Sequence, residues 1–175
     1  ITHRLHRGLD PSVVTMTDVL KQAGYVTGMF GKWHLGTQPQ FHPRARGFDE
    51  FYGFLAGAHS FFSAKTPQPF HSSIMRDRSP LIEPEYLTDA IARETVRFIG
   101  ANRDKTFFAY VPFNAVHTPI EATKKYQDRF PNESDQTKRD YYAMTSALDD
   151  AVGSIVAALD RNGLSENTLV IFVND

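Results

Sequence analysis

Three apolar runs constrain this chain more than any other feature: residues 25–30, 106–111 and 168–173. Each is short and rich in β-branched and aromatic residues, and each follows a stretch with helical spacing. The first helix opens near Ser12 or Thr15, either of which can cap it, and runs through Met16, Val19 and Leu20 to a stop at Gly24. The second opens at Pro84, places Leu87, Ile91, Phe98 and Ile99 on one face, and ends near Gly100. The third carries Tyr141, Met144, Leu148, Val152, Ile155 and Leu159 as one stripe and ends at Asn162-Gly163. Helix, strand, helix, strand, helix, strand is the order of a parallel sheet covered by helices, an α/β fold. The unbroken apolar run at 168–173 reads as a strand covered on both faces.

Ligands of an open parallel sheet bind at the carboxyl ends of its strands. All three predicted strands are followed at once by polar chemistry. Lys32 and His34 follow the first, Asn114 and His117 the second, Asn174 and Asp175 the third. Lysine is a compact cation suited to an anionic oxygen. Histidine moves protons near neutral pH. Aspartate at a strand end is a hard ligand for calcium or magnesium. Gathered on one edge, the set suits hydrolysis of a sulfate or phosphate ester, although it contains no evident nucleophile. Taken singly, each member has a blander reading. Lys32 fits a surface charge, His34 a structural histidine, His117 a turn residue and Asp175 a helix cap. Trp33 fits packing, and Asp149-Asp150 a solvated pair on the third helix.

Residues 37–82 lack periodicity and hold five prolines, Pro39, Pro43, Pro67, Pro69 and Pro80, among many aromatics. So long a loop in a compact domain is functional or has short elements of its own. The segment 47–54 is too apolar for free linker and reads as a short strand or turn beneath the site. His42, His59 and His71 fall in this region and fit structural or exposed roles. His59 stands out, because glycine, alanine and aromatics surround it. Residues 1–11 are polar and basic and read as a solvated loop.

A chain of 175 residues with 41% hydrophobic and 22% charged side chains can bury the core of one domain. A net charge of −1 provides no basic face for nucleic acid. No apolar run is long enough to span a bilayer. The lack of cysteine excludes disulfides and thiolate metal sites, but leaves the compartment open. The start at Ile1 and the stop at Asp175, just after an apolar run, suggest that the whole of 1–175 is part of a single catalytic domain cut at both ends.

Gly31-Lys32-Trp33-His34-Leu35-Gly36 resembles the second signature of the sulfatase family. The continuation through Gln40-Phe41-His42-Pro43 and Gly47-Phe48-Asp49-Glu50-Phe51-Tyr52-Gly53 is similar to the arylsulfatase and N-acetylgalactosamine-6-sulfatase branch. His117-Thr118-Pro119 resembles that family's later His-x-Pro motif, and the run 170–175 resembles the strand leading into its metal-binding Asp-Asn-Gly. The resemblance covers nearly the whole chain.

It implies an alkaline-phosphatase-like fold, hydrolysis of sulfate esters, a calcium ion (sometimes magnesium), and a formylglycine nucleophile made from cysteine or serine. By the same resemblance Lys32 would hold the sulfate and the nucleophile. His34 would bond the nucleophile and serve as base in sulfate release. His117 would contact the sulfate and assist the leaving oxygen, and Asp175 would bind the metal. His59 and the aromatic loop would line a cleft for a sulfated sugar. The family's modification signature is missing from the chain, so the resemblance makes this an internal piece that would not turn over alone. It also implies a secreted, periplasmic or lysosomal location. A phosphonate or phosphate monoester hydrolase and a non-catalytic binder of sulfated glycans are the alternative readings.

Overall fold

The computed structural model describes residues 8–62 and 73–173. Helix α1 (Met16–Gln22) is capped by Thr15. The Thr15 hydroxyl accepts from the Asp18 N–H, and the Asp18 carboxylate accepts from the Thr15 N–H at 2.8 Å, a reciprocal capping box. The face expected to be buried is not. Thr17 turns inward, where its hydroxyl donates to the Arg46 carbonyl at 2.7 Å, and this bond sets the rotation of the helix. Met16 and Val19 are left exposed.

A five-stranded sheet follows, in the order β4-β3-β2-β1-β5. Its strands are β1 (Val26–Lys32), β2 (Glu50–Phe54), β3 (Ile74–Arg76), β4 (Ser79–Leu81) and β5 (Phe107–Tyr110). β1 lies between β2 and β5 and runs parallel to both, while β3 and β4 add an antiparallel hairpin beyond β2. The predicted strands at 25–30 and 106–111 are thus present and parallel. The segment 47–54 is the third parallel strand, and the region 37–82 hides two more.

The run 168–173 forms no strand among the described residues. It is solvent-exposed, with Leu169 at 84% and Val173 at 79%. An apolar strand is buried only when other strands and helices cover it, and none of the described elements does so here. Asn174 and Asp175 lie outside the described residues, as do His3, His6 and His71.

Alternation along β1 and β2 makes two cores. Phe30, Tyr52 and Phe54 pack with Ile74 against Leu87, Ala90, Ile91 and Phe98 of helix α2 (Leu87–Ala101). Met29, Trp33, Phe51, Leu55 and Phe48 fill the opposite face. Each fully buried aromatic contributes about 2–3 kcal/mol of transfer free energy. The second helix begins at Leu87, three residues after Pro84.

Helix α3 (Lys124–Gln127) had no signal in the periodicity. Helix α4 (Gln136–Arg161) ends at Asn162, as its Asn-Gly predicted, and its buried face takes Met144 and Leu159 from the predicted stripe and adds four alanines. Ala143, Met144, Ala147, Ala151, Ala158 and Leu159 face inward, while Tyr141 is 45% exposed. The small alanines admit Phe61, Tyr86 and Tyr126 against one half of the helix, and Ile99 of α2 reaches the other half. Steric room, more than hydrophobicity, selected the face.

The leading segment is likewise not a free loop where it is described. The Leu9 N–H donates to the Leu35 carbonyl at 2.8 Å. The Arg46 guanidinium donates to the carbonyls of Pro11 and Val13, both at 2.8 Å.

Candidate active site

The carboxyl ends of β2, β1 and β5 meet at one edge, and unusual backbone proximity brings them together. Gly31 and Gly53 are register partners, both with φ in the region that favours glycine, at +136° and +148°. A β-carbon on Gly53 would lie 1.9 Å from the Gly31 carbonyl oxygen, and one on Gly31 would lie 2.1 Å from that of Pro112. Two glycines therefore let three strand ends converge at a separation no side chain would permit.

Beyond this point β1 continues as a bridge. The Lys32 N–H donates to the Pro112 carbonyl at 2.8 Å, the Trp33 N–H to Phe54 at 3.0 Å, and the His34 N–H to Leu55 at 3.3 Å. The Gly-Lys-Trp-His turn is held from the β5 side at Lys32 and from the β2 side at Trp33 and His34. Trp33 is a packing residue, as read from the sequence. It is 7% exposed, and its indole N–H donates to the Phe41 carbonyl at 2.7 Å.

His34 adopts a left-handed conformation, φ +57°, which costs a non-glycine residue about 1 kcal/mol. The imidazole lies against the backbone of Gly57. Its Nε2 is buried and has no hydrogen-bond partner among the described residues. Burial holds the His34 imidazole below the usual histidine range, and the charges of Lys32 and His117 push it further the same way.

His117 is exposed on the loop after β5. Its N–H donates to the Asn114 carbonyl at 2.8 Å, and its Nδ1 lies 2.7 Å from the Thr118 carbonyl. Asn114 is 4% exposed, and neither atom of its carboxamide has a partner among the described residues. Two buried polar groups without partners, on Asn114 and His34, cost about 1–3 kcal/mol each. His59 is half-buried on the loop after β2, its ring 5.2 Å from that of Phe54 and its Nδ1 against the Ser60 carbonyl.

Lys32 and His34 at the end of β1, His117 on the loop after β5 and His59 on the loop after β2 thus follow the carboxyl ends of three neighbouring parallel strands. Asp175 lies outside the described residues, and among these no three His, Asp or Glu side chains form a group that could hold a metal. The residues described therefore do not make a metal site by themselves. His42 is a structural histidine. It is buried edge-on against Phe51 and receives the Arg44 N–H on Nδ1 at 3.1 Å. Asp150 is paired with Arg129 at 2.6 Å instead of being merely solvated. Sequence reasoning missed Gly57, whose only signal was a run of small residues after β2.

The sulfatase family model matches residues 2–175. The chain is 30% identical to arylsulfatase J of Mus musculus over 99% of its length, covering 32% of that protein. It is also 30% identical to N-acetylgalactosamine-6-sulfatase of Rattus norvegicus over 96% of its length, covering 33% of that protein. The chain thus spans about a third of the length of these curated relatives. Among solved structures, the fold superposes on Ps i-CgsB in complex with k-i-k-neocarrahexaose with a TM-score of 0.85 at 34% identity, covering 91% of this chain and 39% of that one. No helix among the described residues is long and apolar enough to cross a membrane. A parallel-centred α/β sheet with the Gly-Lys-Trp-His turn at its carboxyl edge, matched along almost its full length, makes this chain a member of the sulfatase family.

Proposed function

We propose that the full protein containing this chain hydrolyses sulfate esters of a carbohydrate. The observation that carries this is His34. Its partnerless, buried Nε2 sits with Lys32 and His117 at the sheet edge, in a chain that belongs to the sulfatase family. The complex of Ps i-CgsB with an oligosaccharide, and the likeness to N-acetylgalactosamine-6-sulfatase, support a sugar sulfate as substrate.

The nucleophile in this reading is a formylglycine outside the chain, which supplies an oxygen that attacks sulfur. Lys32 binds the sulfate oxygens and offsets their negative charge as it grows in the transition state. His117 gives a proton to the ester oxygen as the sulfur–oxygen bond breaks, so the sugar leaves as a neutral alcohol. His34, held deprotonated by burial and its cationic neighbours, hydrogen-bonds the nucleophile and takes its proton when sulfate is released. Water restores the nucleophile, and the net reaction is ester plus water giving alcohol and sulfate. His59 contacts the sugar. Calcium, with magnesium as a substitute, is the proposed metal, and Asp175 is its ligand from this chain. The proposed location is secreted, periplasmic or lysosomal.

The test is an assay of the full-length protein on sulfated oligosaccharides, a small aryl sulfate and the matching aryl phosphate. Sulfate release from sugars, lost in Lys32→Ala and His117→Ala, is the expected result. A preference for phosphate would assign the protein to the phosphoester hydrolases. Tight binding of sulfated glycans without turnover would make it a binding protein.

A further inference from the structure

Glu121 has no place in the chemistry above, yet it holds the two loops that carry His59 and His117. The loop after β5 passes from His117 to Glu121 within four residues, and the loop after β2 passes from His59 directly to Ser60 and Phe61. One carboxylate oxygen of Glu121, Oε2, accepts from the Ser60 hydroxyl and from the Phe61 N–H, each at 2.8 Å. The backbone carbonyl of Glu121 accepts from the Tyr86 hydroxyl at 2.8 Å. The Ser60 hydroxyl in turn accepts from the Phe62 N–H at 3.2 Å.

Phe61 is the pin of this assembly. It is fully buried among Tyr86, Tyr126, Ala143 and Met144, and its carbonyl accepts the Leu87 N–H at the start of α2, at 2.9 Å. Its N–H is thus tied to one active-site loop and its C=O to a helix of the core. A loop joined to the fold only by its ends would drift by ångströms. Charge-assisted bonds to a carboxylate are short and strong, and fix it in place.

We infer that Glu121 is a positioning residue. By clasping Ser60 and Phe61 it fixes the spacing between His59, which meets the sugar, and His117, which meets the sulfate, and so sets the enzyme's selectivity for an extended carbohydrate over a small aryl sulfate. This inference rests on the sulfatase reading above. Displacement of a substrate-holding group by about 1 Å can cost up to a hundredfold in rate.

The experiment compares Glu121→Ala, Glu121→Gln and Ser60→Ala in the full-length protein, on a sulfated oligosaccharide and on a small aryl sulfate. Glu121→Ala should lower kcat/KM on the oligosaccharide by about tenfold or more, and by clearly less on the aryl sulfate, which does not span both loops. Glu121→Gln should recover most of the loss, because one amide oxygen can accept both bonds. The Ser60→Ala effect should be absent once Glu121 is already alanine. If Glu121→Ala does not fold, Ser60→Ala alone carries the comparison, with the same skew between substrates expected. Equal losses on both substrates, no loss at all, or a Gln variant as impaired as Ala would overturn the inference. Wild-type inactivity on both esters would instead remove the sulfatase reading and this inference with it. An active wild type with an unaffected Glu121→Ala would remove the inference alone.

Discussion

A β-carbon placed on Gly57 would stand 2.4 Å from Nε2 of His34. The backbone after β2 is therefore the wall against which the His34 imidazole rests. The atom in conflict is at the far end of a side chain, so the ring can swing aside. Gly57→Ala should then cost about 1 kcal/mol of stability or less, but lower kcat/KM by about ten- to a hundredfold. Thermal melting and steady-state kinetics of the full-length variant would check both halves. Wild-type kinetics would show that His34 does not need its present orientation.

Gly31 makes the opposite case. Its close contact is with the Pro112 backbone carbonyl, at 2.1 Å from a built β-carbon, and backbone cannot swing. Gly31→Ala should destabilise the protein by about 3 kcal/mol or more, through strain at positive φ and parting of β1 from β5. Urea unfolding would measure it, and a shift below about 1 kcal/mol would contradict the close-approach account.

The pH dependence of activity should carry the mark of His34. Burial, Lys32 and His117 all hold its pKa below the usual histidine range. As the proposed base in sulfate release it must be unprotonated. The acid limb of kcat should therefore fall at a lower pH than an unperturbed imidazole would give, near 6.5. A Lys32→Met variant with residual activity should move that limb upward, because one repelling charge is gone.

His42 links stability to pH. Burial first, and then the charge of Arg78, push its pKa down to about 4 in the folded protein. The unfolded chain binds a proton at about 6.5 and the folded protein does not, so stability is fully present above that value. It is lost as pH falls from there toward about 4, by roughly 3 kcal/mol in all. Unfolding free energies at pH 7 and pH 4.5 should differ less in His42→Gln than in the wild type.

Glu94 holds the hairpin to α2. Burial would raise its pKa, but hydrogen bonds from Arg76 and Arg97 outweigh that and hold it at about 2. Arg76 grips both of its oxygens, at 2.8 and 2.7 Å. Glu94→Gln should destabilise the protein by about 1–2 kcal/mol: Arg76 loses its carboxylate partner, while Arg93 keeps Glu83 and Glu85, Arg97 keeps Glu50, and solvent screens the half-exposed guanidinium groups. Chemical denaturation would test this, and a neutral substitution would mean that solvent already screens the clamp.

Much was legible because local rules and the fold agreed. The helices α1, α2 and α4, the strands at 25–30 and 106–111, the cap at Thr15, the Asn-Gly stop of α4 and the Gly-Lys-Trp-His turn all follow from short stretches of sequence. The periodicity of α4 marked the helix and, in Met144 and Leu159, part of its buried face, yet it missed Ala143, Ala147, Ala151 and Ala158 and included the exposed Tyr141. Hydrophobicity measures what gains by burial, whereas packing against Phe61, Tyr86 and Tyr126 demanded small side chains.

By itself, then, the sequence determined the fold class and the family, and it proposed the trio Lys32, His34 and His117. Composition and motif spacing are properties of the chain read in order. Only the tertiary structure decided that β2 is the third parallel strand at the edge, that Gly57 braces His34, and that Glu121 clasps the loops of His59 and His117. Each of these depends on residues that meet across the sheet edge. Such contacts are set by strand register and by backbone separations of a few ångströms, which no local pattern encodes.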